Sequence, residues 1–495
     1  MNYRLVSKYL GHFTMAMSLL MIPSAMWAYG LGEWNALGAF GEAMGIAVLL
    51  GGILTALGHK APNRMFQREG LALVSIGWLL AAAVGALPFV LSGTLTPVEA
   101  YFETMSGLTT TGSTVLVDIE AVDASILFWR SFTHWIGGMG IIVLFIAVLP
   151  YMGAGGKQLF KSESPGPDPR GLSPRIKDTA SILWKIYMGL TVVQTVLLMV
   201  VGMSFYDALT HTFGTLATGG FSTRNASIAA FDSVSIEIVI IIFMVLAGTN
   251  FGLFFAMLQG DWWAPLKNTE WKAFILILAL SATFITLNLM GLQGRLPEDT
   301  HALVEPHYTW GQAIRHSTFL TVSIMTTTGF GTENFDLWPP FSRMLLVLIM
   351  FVGGCAGSTG GGIKVVRMII LFKMAYWRLE STFRPKTIRP IRINGQVVDD
   401  EVQRTVYAFF VIHMFIVAIG CAFMSLLGLP FQSALTSVIT ALNNIGPGLE
   451  LVGAAENFHF VPTSGKIFLS LCMAMGRLEL FSICVLFVPA FWKHG

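Results

Sequence analysis

Four short polar phrases recur along this chain, and each puts small residues where backbone oxygens can be aimed at an ion. They are Thr110-Thr111-Gly112, Thr218-Gly219-Gly220, Thr327-Thr328-Gly329 and Asn444-Ile445-Gly446. Their glycines lie 108 (112 to 220), 109 (220 to 329) and 117 (329 to 446) residues apart, a period that implies four related units. Glycine reaches dihedrals closed to other residues. Successive carbonyls can therefore face one axis and replace the hydration shell of a cation such as potassium, with threonine hydroxyls as further ligands at the inner mouth. The fourth phrase departs most, with Asn443-Asn444 where the others carry threonines.

Two further features sit in apolar surroundings. The stretch 353–362 contains Gly353, Gly354, Gly357, Ser358, Thr359, Gly360, Gly361 and Gly362, with Lys364 just beyond. Glycine costs a helix about 1 kcal/mol relative to alanine, so this stretch interrupts its helix. It fails the GxxxxGK[ST] spacing of a phosphate-binding loop, and no strand precedes it. A fixed kink for close packing and a movable intramembrane loop gating a pore are both open readings. Arg477 and Glu479 lie inside the last apolar run. An ionised group there needs a partner or an aqueous cavity. Either the two form a local ion pair, or Arg477 faces the pore beneath the carbonyl loops, touches the glycine stretch and repels cations when the pathway is shut.

The elements that hold these residues follow from hydropathy. Hydrophobic residues make up 54% of the 495 and charged residues 12%. The charged share is about half that of an ordinary soluble protein, so the chain is an integral membrane protein. Ten apolar runs, near 10–29, 40–58, 70–92, 126–150, 179–203, 234–258, 271–292, 340–375, 404–428 and 464–492, predict ten spanning helices. Four shorter helical stretches, near 96–108, 205–217, 312–326 and 431–443, precede the four phrases. At about 1.5 Å per residue, a dozen residues cover about 18 Å, too little for a hydrocarbon core of about 30 Å. Each is a half-helix whose following loop returns through the bilayer, a path open only where the backbone is buried in protein or lines a cavity. Their C-terminal ends carry partial negative charge toward the pore centre.

The fold expected is an all-α polytopic membrane protein. An N-terminal helix pair (1–69) precedes four pseudo-symmetric helix–pore loop–helix repeats around one pore. Their bounds are 70–178, 179–270, 271–403 (with the glycine stretch) and 404–495. Basic residues crowd 59–69 (Lys60, Arg64, Arg68), 151–178 (Lys157, Lys161, Arg170, Arg175, Lys177) and 376–403 (Arg378, Arg384, Lys386, Arg389, Arg392). The alternate loops are poor in them: 30–40 carries only Glu33, and 293–310 has Arg295 against Glu298, Asp299 and Glu305. The positive-inside rule then places both termini in the cytoplasm, and all four half-helices enter from outside.

Other candidates are weaker. Glu103 and Asp207, on half-helices, either attract cations at the outer mouth or serve as caps and structural ion pairs. His134 and His211 read as packed core histidines. Cys355, Cys421, Cys472 and Cys484 form no CxxC pair and read as small packing residues. No ligand spacing for a bound transition metal and no catalytic constellation is present, so an enzyme is not expected. A selective pore is weighed against a coupled transporter, in which repeats and broken helices also occur.

At these residues the chain resembles a known family. The strings TTTGST, ATGGFS, TTTGFG and NNIGPG, in this order, with the leading helix pair, look like the TrkH membrane subunits of bacterial Trk-type potassium uptake systems. These share a superfamily with KtrB and the plant and fungal Trk/HKT proteins. The resemblance implies potassium uptake in a bacterial inner membrane and a selectivity filter binding K+ at Thr110, Thr111, Gly112, Thr218, Gly219, Gly220, Thr327, Thr328, Gly329, Asn444, Ile445 and Gly446. It implies that glycine at all four positions goes with potassium selectivity, and that the 353–362 loop and Arg477 gate. It implies a homodimer with one pore per protomer and a cytosolic TrkA-like regulatory subunit that binds NAD or ATP. This chain carries no dinucleotide fingerprint of its own, so nucleotide control would come from that partner. The basic loops 151–178 and 376–403 are candidate docking surfaces. The alternative is a potassium/proton or potassium/sodium symporter. No nucleic-acid partner is expected.

Overall fold

The computed structural model describes residues 1–59, 61, 65–148, 176–291, 308–385 and 390–492. The basic residues Lys60, Arg64, Lys157, Lys161, Arg170, Arg175, Lys386 and Arg389, and the acidic loop with Arg295, Glu298, Asp299 and Glu305, lie outside the described residues.

Helices dominate. A leading group, α1 (Tyr3–Leu20), α2 (Ile22–Leu31) and α3 (Trp34–Leu57), forms a hairpin. Its two arms approach closely because Gly11 and Gly51 face each other's backbone, where a side chain would not fit. Of the segments expected as repeats, the first holds α4 (Gln67–Gly85), α5 (Leu87–Leu91), α6 (Pro97–Leu108) and α7 (Ala124–Val148). The second comprises α8 (Ile176–Val200), α9 (Phe205–Leu216), α10 (Val234–Ala247) and α11 (Phe251–Leu258). After a short α12 (Ala264–Lys267), the third contains α13 (Thr269–Leu289), α14 (Trp310–Met325), α15 (Pro340–Met350) and α16 (Val365–Phe383). A two-stranded hairpin, β1 (Arg392–Ile393) with β2 (Gln396–Val397), leads into the fourth: α17 (Asp400–Leu426), α18 (Phe431–Asn443) and α19 (Thr463–Arg477).

Among the described residues six helices are long and apolar enough to cross a membrane, or up to eight if each of two bent pairs is one span. Three of the runs read as spans are broken. The run at 234–258 bends by 92° between α10 and α11. The run at 340–375 is helical only to Met350 and resumes at Val365. The run at 464–492 turns by 120° after Arg477. The second break was expected from its glycines, whereas hydropathy does not register the first and third, whose residues are small or singly charged. At the third, Arg477 and Glu479 turn to different partners instead of continuing one helix face.

The half-helices α6, α9, α14 and α18 have 12, 12, 16 and 13 residues. At about 1.5 Å each, none spans a bilayer core of about 30 Å. Three begin with a self-contained cap. Glu99 accepts from the Thr96 hydroxyl at 2.6 Å, the Ser204 hydroxyl accepts from the Asp207 N–H at 3.1 Å, and Gln312 accepts from the Thr309 N–H at 3.0 Å. Such Ser/Thr-x-x-acid or amide starts satisfy the exposed donors of a helix that ends inside protein. The fourth starts after Pro430 instead.

Candidate ion pathway

Each half-helix ends on one residue forced into the left-handed region: Thr110 (φ 54°), Thr218 (φ 55°), Thr327 (φ 60°) and Asn444 (φ 54°). The next residue's N–H reaches back five positions to the helix. Thr111 bonds Ser106 O at 2.8 Å, Gly219 bonds Gly214 O at 2.8 Å, Thr328 bonds Ser323 O at 2.8 Å, and Ile445 bonds Thr440 O at 3.0 Å. This is a Schellman-type ending, but with threonine in three loops and asparagine in the fourth where glycine is usual. A β-branched residue in that region is strained by about 1–2 kcal/mol, and such strain concentrates at functional sites. The glycine two residues on also has positive φ in every loop: 85° at Gly112, 79° at Gly220, 83° at Gly329 and 102° at Gly446. Four loops thus share one conformation, although the fourth shares little sequence with the others.

The loops close a ring. A side chain at Gly112 would overlap the carbonyl oxygen of Gly219, at Gly220 that of Thr328, and at Gly329 that of Ile445; at Gly446 it would meet Thr111 O at 2.9 Å. Each loop therefore packs backbone to backbone against the next, and the fourth returns to the first. Glycine is required here because a carbonyl occupies the space of its missing Cβ. Gly112, Gly220, Gly329 and Gly446 also line one cavity of about 110 Å³, open on the side of the segments that follow the loops, including Ser113, Ser222 and Glu456.

Around this ring several buried oxygens have no hydrogen-bond partner: Thr110 Oγ1, Asn443 Oδ1 and Asn444 Oδ1. Buried polar atoms rarely stay unpaired. The four loops themselves carry no carboxylate, and among the described residues no cluster of His, Cys, Asp or Glu could hold a metal ion. The donor set is neutral oxygen only, which suits a weakly held monovalent cation in transit.

Charged residues stand behind the ring. Arg130 is fully buried, with Nε 2.6 Å from Glu103 Oε1 and Nη1 donating to Ser222 O at 2.9 Å. Its guanidinium lies 3.6 Å from the Phe221 ring centroid. His134 Nδ1 is 2.8 Å from Gly107 O, and the Phe221 N–H donates to Nε2 at 3.1 Å, which fixes the proton on Nδ1. Glu103, Arg130 and His134 thereby tie the first half-helix to the second loop. Asp207 binds Thr223 at 2.8 Å and Arg224 at 3.4 Å. Neither Glu103 nor Asp207 is a free carboxylate at the mouth. His211 bridges Asp207 O and Ser222 Oγ. Arg130 escaped sequence reasoning, although an arginine in the middle of an apolar run was signal enough.

On the opposite side of the ring from the cavity lies the 353–362 stretch. The Gly361 N–H donates to Thr327 Oγ1 at 2.7 Å, and Thr359 Oγ1 donates to Leu216 O at 2.8 Å. The stretch is held as a loop by Gly353 N–H to Ile363 O at 3.0 Å and Val365 N–H to Gly354 O at 3.3 Å, and the Lys364 ammonium folds back onto Gly360 O. The α10–α11 break receives it: Cys355 N–H donates to Gly248 O at 2.8 Å, and Phe251 N–H to Gly357 O at 3.0 Å. Ser358 stays local, its hydroxyl on Cys355 O at 2.6 Å, and Gly362 (φ 68°) packs on Gly353. Arg477, buried, donates from Nη1 to Thr359 O at 2.6 Å and from Nη2 to Gly137 O at 2.9 Å. The local Arg477–Glu479 pair weighed from sequence does not form, since Glu479 pairs with Arg367 on α16. Arg367 and Glu270, which also touches this loop, carried no distinguishing signal in the sequence.

A model of a family described as cation transport proteins, TrkH, matches residues 40–494. The Trk system potassium uptake protein TrkH of Salmonella typhimurium is 37% identical over 505 residues, covering 100% of both chains. The Trk system potassium uptake protein TrkG of Escherichia coli is 32% identical over 496 residues, covering 99% of both. The crystal structure of the potassium transporter TrkH from Vibrio parahaemolyticus superimposes with a TM-score of 0.86 at 33% identity, covering 100% of each chain.

Proposed function

This chain belongs to the TrkH family of cation transport proteins, and from that premise we propose that it takes up potassium across a bacterial inner membrane through the carbonyl ring of its four loops. The closed ring carries this reading. Four loops of one backbone conformation, each glycine against the next loop's carbonyl, surround an axis with neutral oxygens, and the loops' own residues include no carboxylate. Such a site replaces a hydration shell without holding the ion so tightly that it cannot leave. The filter is Thr110, Thr111 and Gly112 with Thr218, Gly219, Gly220, Thr327, Thr328, Gly329, Asn444, Ile445 and Gly446. The ion is cargo, and each half-helix turns its negative end toward it.

The gate in this reading is the loop from Gly353 to Gly362 together with Arg477. Its contact with Thr327 Oγ1 supports this reading, since backbone at the inner mouth, with the buried guanidinium beside it, would bar a cation. Opening requires the loop to leave. The protein works as a homodimer with both termini cytoplasmic, under a cytosolic TrkA-like subunit that binds NAD or ATP. A coupled potassium/proton or potassium/sodium symporter is the competing reading.

The test is rubidium and sodium uptake into proteoliposomes holding this chain alone, across imposed voltages and proton gradients. Flux that follows the rubidium gradient, excludes sodium and ignores pH supports a selective pore. Flux that stalls without a proton or sodium gradient makes the protein a symporter.

A further inference from the structure

Glu270 stands in the first turn of α13, at a place where an acidic residue ordinarily does no more than favour its own helix dipole. Here the cap of α13 is supplied by Asn268, whose side chain accepts from the Trp271 N–H at 3.0 Å. The Glu270 carboxylate is turned away from its helix and is buried. One oxygen, Oε1, accepts from the Ala356 N–H at 2.7 Å and from the Val366 N–H at 3.0 Å. Ala356 lies within the glycine-rich stretch and Val366 in the first turn of α16 just after it, so a single oxygen grips the loop on both flanks.

The geometry explains why a carboxylate is used. Lys364 is the residue before α16, and the Val366 N–H belongs to the first turn, where no helical carbonyl is available to it. An anion at that helix start is stabilised by the dipole and by two charge-assisted hydrogen bonds. Among the described residues Glu270 is the one acidic side chain bonded to the loop backbone. The remaining holds are uncharged contacts with α9, with the α10–α11 break and with Thr327, together with Arg477.

We propose that Glu270 is a positioning residue for transport: a carboxylate latch that pins both flanks of the 353–362 loop and keeps it seated under the ion-selective ring. This rests on the reading of that loop as the gate. With the latch cut, the loop leaves its seat more often, and resting flux rises while the ring itself, and so the rubidium-to-sodium preference, is unchanged.

The loop carries its own reporter. Cys355 is 1% exposed and bonded within the seat. In the full-length chain with Cys421, Cys472 and Cys484 replaced by alanine, Cys355 is the sole thiol. Its alkylation by N-ethylmaleimide is followed by mass spectrometry. Glu270→Ala removes both acceptor contacts, and Val366→Pro removes one of the two N–H groups at a first-turn position where proline is tolerated. The expected result is alkylation faster by on the order of a hundredfold in Glu270→Ala, since each of the two lost bonds is worth about tenfold. A smaller rise is expected in Val366→Pro, and an intermediate one in Glu270→Gln. Should Glu270→Ala fail to elute as a single species, Val366→Pro decides. Cys355 staying as protected as in the parent in well-folded variants overturns the latch, whatever the flux does. Faster alkylation with unchanged rubidium flux keeps the latch and instead removes the loop from its role as gate.

Discussion

Replacing the four ring glycines by alanine, one at a time, separates a carbonyl ring from four unrelated turns. All four have positive φ, so each alanine carries backbone strain of about 1 kcal/mol, a term shared by the series. The space around them differs. At Gly112, Gly220 and Gly329 the new methyl overlaps a carbonyl oxygen of the next loop, which must retreat by on the order of an ångström. At Gly446 the nearest atom, Thr111 O, is 2.9 Å away, against the 3.0 Å that real Cβ atoms keep, so a slight adjustment suffices. If those oxygens coordinate the ion, the first three variants lose discrimination and the fourth keeps most of it. A lost 1.4 kcal/mol is a factor of about ten. We therefore expect at least about tenfold loss in the rubidium-to-sodium uptake ratio for Gly112→Ala, Gly220→Ala and Gly329→Ala, and less than about threefold for Gly446→Ala. The assay is paired isotope uptake into proteoliposomes, with size-exclusion elution confirming folded protein. Gly220→Ala keeping the parental ratio, or Gly446→Ala proving the most damaging of the four, would refute the ring geometry.

Three other outcomes follow from single contacts. Arg477→Lys keeps the charge but cannot reach both Thr359 O and Gly137 O, which the guanidinium fork spans. We expect resting rubidium flux in the order Arg477→Ala above Arg477→Lys above parent, and Arg477→Ala with parental flux would remove the arginine from the gate. Arg130→Ala leaves the buried Glu103 without its cation, held only by Thr114 and the Val115 N–H, a change worth up to about 3–5 kcal/mol, so thermal aggregation in detergent should begin at a markedly lower temperature. A Glu103→Gln, Arg130→Met double variant should recover most of that loss, and a double variant no better than the single would contradict the pairing. His134→Phe keeps an aromatic body beside Phe221 but removes the acceptor of the Phe221 N–H. It should lower the rubidium-to-sodium ratio with little change in folded yield, and an unaltered ratio would confine His134 to packing.

Much was legible in the chain itself. The four half-helices appear within one or two residues of where hydropathy and length put them, because a dozen apolar residues between turn signals has few other fates in a bilayer. Two of their starts carry local capping patterns, Thr96-x-x-Glu99 and Thr309-x-x-Gln312, which hydropathy alone does not use. The ring glycines were visible from their period. The glycine-rich interruption after Met350 was evident because no helix tolerates so many glycines.

What the tertiary structure alone decided concerns partners distant in sequence. That Asn444 takes the same left-handed turn as three threonines depends on its side chain bonding Thr111 and Met473, from another repeat and another helix. That Arg477 turns to Thr359 and Gly137 and leaves Glu479 to Arg367 depends on which segments meet beneath the ring. Glu270 is in sequence an ordinary first-turn acid, and only the loop closing on it gives its carboxylate partners. Hydropathy and turn chemistry act over a few residues and so can be read along the chain. Burying a polar or charged group inside a membrane protein is resolved by whatever partner the fold brings within about 3 Å, and that choice exists only once the four half-helices and their loops have closed on one another.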